Sequence, residues 1–108
     1  MTQALIYVTA GNREEAVKIG KSLVESRLCA CANVLSGKTT SIYWWEGAVA
    51  EEGEVSMLLK TREDLVDQVV EKVKELHSYD CPCVVSIPIT GGNAEFLDWV
   101  DGETAEKS

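Results

Sequence analysis

The chain has 108 residues, a formal net charge of −8 and an ordinary globular composition, 45% hydrophobic and 26% charged. That length fits one domain with a core needing no disulfides. The acidic balance argues against a nucleic-acid backbone or an anionic membrane surface as partner. No apolar segment approaches the ~20 residues of a membrane span, and the N-terminus has no signal-like pattern. The four cysteines are therefore expected as reduced thiols of a cytoplasmic protein.

Gln3 to Ala10 reads as a first strand, apolar on both faces. Gly11-Asn12 ends it, and Asn12 is placed to cap a helix with Glu15 at the third position. Ala16, Val17, Ile19, Gly20, Leu23, Val24 and Leu28 give that helix an apolar half over Arg13 to Leu28. A small-residue strand over Cys29 to Leu35 follows. Ser41 to Thr61 then reads as a long antiparallel hairpin, with an acidic tip and an irregular crossing between its two glycines. Trp44 and Trp45 point to opposite faces of its first arm.

Thr61, with Asp64 at the third position, is expected to cap a second helix whose apolar stripe is Leu65, Val66, Val69, Val70, Val73 and Leu76. Pro82 rules out its continuation. Val84 to Ile89 is a further strand, with Pro88 suggesting an edge, and Asn93 caps a short helix carrying Phe96, Leu97, Trp99 and Val100. The order predicts an α+β, ferredoxin-like βαββαβ sandwich: an antiparallel sheet, two long helices on one face, a long central hairpin and a short C-terminal helix. The single domain would occupy residues 1–101, with a polar tail at 102–108. The sheet face away from the helices carries apolar residues that need cover, which predicts an obligate oligomer. One of Trp44 and Trp45 should face a neighbouring subunit.

Few residues can carry chemistry. Cys29/Cys31 and Cys81/Cys83 are C-x-C pairs, whose members stand ~7 Å apart on one face of a strand, too far for an ordinary disulfide. Buried free thiols are the favoured reading of Cys29 and Cys31. Cys81 and Cys83 flank Pro82 near a loop and are open to a metal or redox role. His77 is the only histidine. It reads first as a helix C-terminal side chain and second as a metal ligand beside Tyr79, Asp80 and Cys81. Lys60 closes the hairpin's second arm, where it can snorkel or bind an anion. Glu46, Glu51, Glu52 and Glu54 read as a solvated tip. No nucleophile–base pair or phosphate-cradling motif is present, so no enzyme is expected.

Taken in order, Arg27-Leu28-Cys29-Ala30-Cys31-Ala32-Asn33, Ser41-Ile42-Tyr43-Trp44-Trp45-Glu46-Gly47, Glu54 through Leu59-Lys60-Thr61, His77-x-Tyr79-x-x-Pro82 and Phe96-Leu97-Asp98-Trp99 resemble the CutA divalent-cation-tolerance family along nearly the whole chain. The resemblance implies a homotrimer of ferredoxin-like subunits, related in architecture to PII signalling proteins, with clefts between subunits. It also implies a role in divalent-ion tolerance, copper binding by some members, and a link of animal members to acetylcholinesterase anchoring. Of the family's copper ligands only the His77 position transfers. Tyr7-Val8-Thr9 lacks the first-strand cysteine, and Cys81 and Cys83 are the substitutes on offer.

Three functions follow as expectations. The first is a trimeric metal-response protein that takes Cu(II) or another divalent ion through His77, Cys81 and Cys83. The second is a small-molecule-binding module with Asn33, Tyr43, Lys60 and Tyr79 lining an intersubunit cleft. The third is a protein scaffold. In each, Trp44 and Trp45 belong to the subunit interface, and neither nucleic acid nor membrane is a partner.

Overall fold

The computed structural model describes residues 2–104. Its elements are β1 (Gln3–Ala10), α1 (Arg13–Glu25), β2 (Cys31–Val34), β3 (Thr39–Trp45), β4 (Ala48–Arg62), α2 (Val66–Leu76), β5 (Val84–Ile89) and α3 (Ala94–Glu103). This is an α+β fold with one antiparallel sheet in the order β2-β4-β1-β5. β5 pairs only with β1, the edge position that Pro88 predicts.

The longest strand, β4, joins two ladders. Val55 to Arg62 pairs with β1, and Met57 to Lys60 also pairs with β2. Ala48 to Glu54 pairs with β3 alone, so β3 and the start of β4 form an arm beyond the main sheet. The molecule is accordingly elongated, 45 × 28 × 24 Å. The turn of the arm is Glu46-Gly47, with φ of 51° and 84°. Two consecutive left-handed residues make the two-residue turn whose twist matches the flanking strands. The acidic, bulged tip expected around residues 51–54 is therefore corrected: those residues lie on a continuous strand.

Side chains alternate across the sheet, and cross-strand partners share a face. Ile6, Val8 and Ala10 of β1 and Met57 and Leu59 of β4 face the helices. They form one core with Ala16, Ile19 and Leu23 of α1, Val69 and Val73 of α2, and Cys29. Full burial of each Ile, Leu or Val contributes roughly 1.5–3 kcal/mol. The opposite face runs in rows set by the register. Val85, Tyr7, Leu58 and Asn33 make one row, and Ile87, Leu5, Lys60 and Cys31 the next. A third joins Ile89, Gln3 and Arg62. α3 lies at that end, where Gln3 Nε2 donates to the Asp101 carboxylate at 2.9 Å. Val85 and Ile87 stay exposed.

Local chemistry explains the boundaries. Asn12 Oδ1 accepts from Glu15 N at 2.8 Å, the expected cap of α1. The helix ends at Glu25, before the expected Leu28. Arg27 turns left-handed, its N–H donates to Val24 O, and Leu28 N–H reaches back to Leu23 O, a Schellman stop with arginine where glycine is usual. Thr61 caps nothing: its hydroxyl is buried and donates to Leu28 O at 2.6 Å. The chain stays extended to Arg62, and α2 follows a 3-10 turn at Glu63–Leu65. Asn93 accepts from Glu95 N and starts α3 as expected. α3 runs to Glu103 and Thr104 is buried, so order continues past residue 101. The rest of the expected tail, 105–108, lies outside the described residues.

Candidate functional site

His77 follows α2, and its backbone N–H closes the helix on Val73 O. The ring turns inward. Nε2 donates to Thr9 O of β1 at 2.8 Å, and Nδ1 accepts from Tyr79 N at 3.1 Å. This fixes the Nε2–H tautomer and occupies both nitrogens of a fully buried side chain. Glu15 brackets the same loop, with Oε2 accepting from Ser78 N at 2.7 Å and Oε1 from Gly11 N at 3.4 Å. Burial pushes the Glu15 carboxyl up, but the hydrogen bonds from Ser78 and, more weakly, the Gly11 N–H help bring it below its usual range.

Tyr79 carries the connection from this loop to the base of the arm. Its hydroxyl donates to Glu54 Oε2 at 3.0 Å, and Ser41 Oγ donates to Glu54 Oε1 at 2.6 Å. Next along β4, Ser56 Oγ lies 2.9 Å from Tyr7 Oη and 2.6 Å from Thr39 Oγ1. Further out, Tyr43 donates to Glu52 at 2.7 Å. Glu52, Glu54 and Ser56 alternate along one strand, so the whole network lies on the face away from the helices. Sequence reasoning missed Glu54 as a member, assigning it to a solvated tip; it is buried. The signal that finds it is a polar run at every second position leading into an apolar strand.

Four residues beyond Ser56, Lys60 Nζ donates to Asn33 Oδ1 at 2.6 Å and lies 5.6 Å from the Phe96 ring centroid. The four cleft candidates thus share one sheet face but form two groups. Asn33 and Lys60 touch directly, while Tyr43 and Tyr79 each hold a glutamate of β4. Two shallow grooves of about 460 and 280 Å³ lie beside α1 instead, and none of these four residues lines either.

All four cysteines are free thiols. Cys29 is buried, and desolvation, with Cys31 nearby, pushes it up to about 12. Cys31 is only half-buried and lies on the open face beside Lys60, so the buried-thiol reading holds for Cys29 alone. Cys81 and Cys83 are exposed, and burial against β1 raises the Cys83 thiol despite a hydrogen bond with Thr9. Among the described residues no three His, Cys, Asp or Glu side chains converge to hold a metal ion. With His77 committed at both nitrogens as well, the donors of one subunit do not fit a copper centre.

Trp44 and Trp45 are 75% and 60% exposed. Neither is covered by the helices, because the arm extends beyond the main sheet.

A model of the CutA1 divalent ion tolerance protein matches residues 4–103. A divalent-cation tolerance protein CutA of Archaeoglobus fulgidus is 46% identical over 101 residues, covering 94% of this chain and 96% of the relative. A chloroplastic CutA 1 of Oryza sativa subsp. japonica is 41% identical over 102 residues, and there the chain spans only 57% of the relative's length. The solved structure of a periplasmic divalent cation tolerance protein CutA from Archaeoglobus fulgidus superposes with a TM-score of 0.91 at 42% identity, covering 95% and 99% of the two chains. Relatives described as periplasmic and chloroplastic overturn the expectation of a cytoplasmic protein, since the family is not tied to that compartment. A family model over nearly the whole described chain and a relative 46% identical over 101 residues settle the kinship: this chain belongs to the CutA1 divalent ion tolerance family.

Proposed function

We propose that this protein serves divalent-ion tolerance as a non-catalytic homotrimer of single-domain, ferredoxin-like subunits. The strand order β2-β4-β1-β5, with β3 extending the β2 side of β4, supports the ferredoxin-like reading. The observation that carries the assembly is the arm. Ile42, Trp44 and Val49 on one face of it and Trp45 on the other are each at least 60% exposed, large apolar side chains that call for cover. Sedimentation equilibrium tests it: a mass three times that of the chain is expected, and a monomer at micromolar concentration rejects it.

Contact with a divalent ion, Cu(II) foremost, is then made where subunits meet, through the exposed Cys81 and Cys83 and not through His77 in its buried state. The misfit of donors within one subunit and the exposure of these two thiols support this. Calorimetric titration of the trimer with Zn(II), a divalent ion that cannot oxidise a thiol, should lose its binding isotherm in Cys81→Ser/Cys83→Ser and keep it in His77→Gln. The reverse pattern refutes the assignment. A cleft for a small molecule is the second reading, favoured by the convergence of Asn33 with Lys60 and of Tyr43 and Tyr79 with Glu52 and Glu54 on one face.

A further inference from the structure

The open face of the sheet carries a cation that no carboxylate among the described residues answers. Among the described residues Lys60 is in no ion pair; its ammonium gives one hydrogen bond, to Asn33 Oδ1, and stands by the face of Phe96. An ammonium has three donors, so two remain. Asn33 spends its carbonyl oxygen on Lys60, with the Cys31 thiol as a distant second donor at 3.9 Å. Its NH₂ is thereby turned outward, and Asn33 is exposed. The neighbours in the rows carry no charge: Leu5 and Cys31 flank Lys60, with Ile87 beyond Leu5, and Leu58 lies beside Asn33.

We propose that Lys60 and Asn33 form a recognition point for a carboxylate, one oxygen taking the Lys60 ammonium and the other the Asn33 carboxamide N–H. The inference rests on the reading of this face as covered in the assembly. Covering it strips water from Lys60, and an unanswered ammonium beside Leu5, Cys31 and Phe96 is strongly disfavoured. A single positive charge with one neutral donor suits a monoanion. An apolar surround suits one with an apolar body, whereas a phosphate dianion calls for more charge than a chain of net −8 gathers here. The carboxylate comes either from a free small acid or from a glutamate of a second copy, and the two sources can be told apart.

The test uses the full chain, with benzoate as the carboxylate probe and inorganic phosphate and chloride at matched ionic strength as controls. Lys60→Met removes the charge. Asn33→Asp is the sharper variant, because it sets a carboxylate on Lys60 within the subunit at almost unchanged shape. If the acid is free, benzoate raises the melting temperature of the wild type saturably, and both variants weaken its binding roughly ten- to a hundredfold. If a second copy supplies it, benzoate has no effect, and both variants weaken association by a similar factor while circular dichroism of the subunit is unchanged. Phosphate binding as well as benzoate overturns the carboxylate assignment. So does a wild type indifferent to benzoate whose association neither variant changes. A monomeric wild type that still binds benzoate through Lys60 overturns the assembly reading and leaves the site standing.

Discussion

Tyr79 donates its hydroxyl to Glu54 Oε2 at 3.0 Å, tying the loop before β5 to the base of the arm. Burial raises the Tyr79 phenol, and the hydrogen bond to Glu54 and the charges of Glu54, Glu52 and Glu15 raise it further, to about 12 from a usual 10.0. The neutral phenol is the form the fold favours. Its contribution is complete below the unfolded value and is lost as pH rises from 10 towards 12. Absorbance titration of tyrosinate should show a late transition that disappears in Tyr79→Phe and moves to lower pH in Glu54→Gln. An unmoved midpoint in Glu54→Gln would detach the phenol from the carboxylate.

Glu15 supplies the acid-side counterpart. Its folded value lies below the usual 4.5, so its contribution is present above that value and is lost as pH falls through the folded one. Urea midpoints should fall below pH 4.5 in the wild type. Glu15→Gln should be less stable at neutral pH and should fall less steeply with acid. Parallel profiles would mean that Glu15 does not hold this loop.

Gly20 of α1 faces the sheet at close range. A Cβ there would stand 3.0 Å from Ala32 Cβ and 3.1 Å from Met57 Sδ. Overpacking of this kind costs about 1–3 kcal/mol, against about 1 kcal/mol that alanine returns in helix propensity. Gly20→Ala should lower the melting temperature by several degrees, and Ala32→Gly added to it should recover part of the loss. A more stable Gly20→Ala would show that Met57 gives way freely.

Thiol reactivity should separate the four cysteines. Cys29 is buried and is pushed up to about 12, whereas Cys81 is exposed. Mass spectrometry after iodoacetamide treatment of the native protein should find Cys81 alkylated early and Cys29 only after unfolding. Early modification of Cys29 would mean that the gap between α1 and β2 opens readily.

Trp44 shares a face of the arm with Ile42 and Val49, and Trp45 shares the other with Tyr43. In the proposed trimer, burying either tryptophan against another subunit would contribute about 2–3 kcal/mol. Trp44→Lys or Trp45→Lys should weaken association by roughly a hundredfold without changing the far-ultraviolet spectrum of the subunit. Wild-type association in both variants would exclude the arm as the contact.

What was legible in the sequence was local. The apolar run from Gln3 to Ala10, the caps at Asn12 and Asn93, and the edge role of Pro88 each depend on neighbours a few residues away. The misreadings depend on distant partners. Thr61 looks like a cap but bonds Leu28 O, 33 residues back, and His77, read first as a side chain at the end of its own helix, turns inward to meet Thr9 O, 68 residues back. Glu46-Gly47 hides its turn because glutamate at positive φ is uncommon. Glu54 looked solvated because Tyr79 and Ser41, which bury it, come from other elements. The pairing of Asn33 with Lys60 needs the register of β2 on β4, which no pattern within either segment reveals.

β4 is one uninterrupted strand shared by core and arm, and that continuity constrains how the length of the chain can drift. A single inserted residue near Gly53 would invert every side chain from there to the turn. Trp44 and Trp45 would exchange sides while Met57 and Leu59 stayed in place. Changes in pairs, or at the Glu46-Gly47 turn itself, would merely lengthen or shorten the arm. The hairpin is thus free to vary in reach but bound in parity, as though it were cut from the same ruler as the sheet.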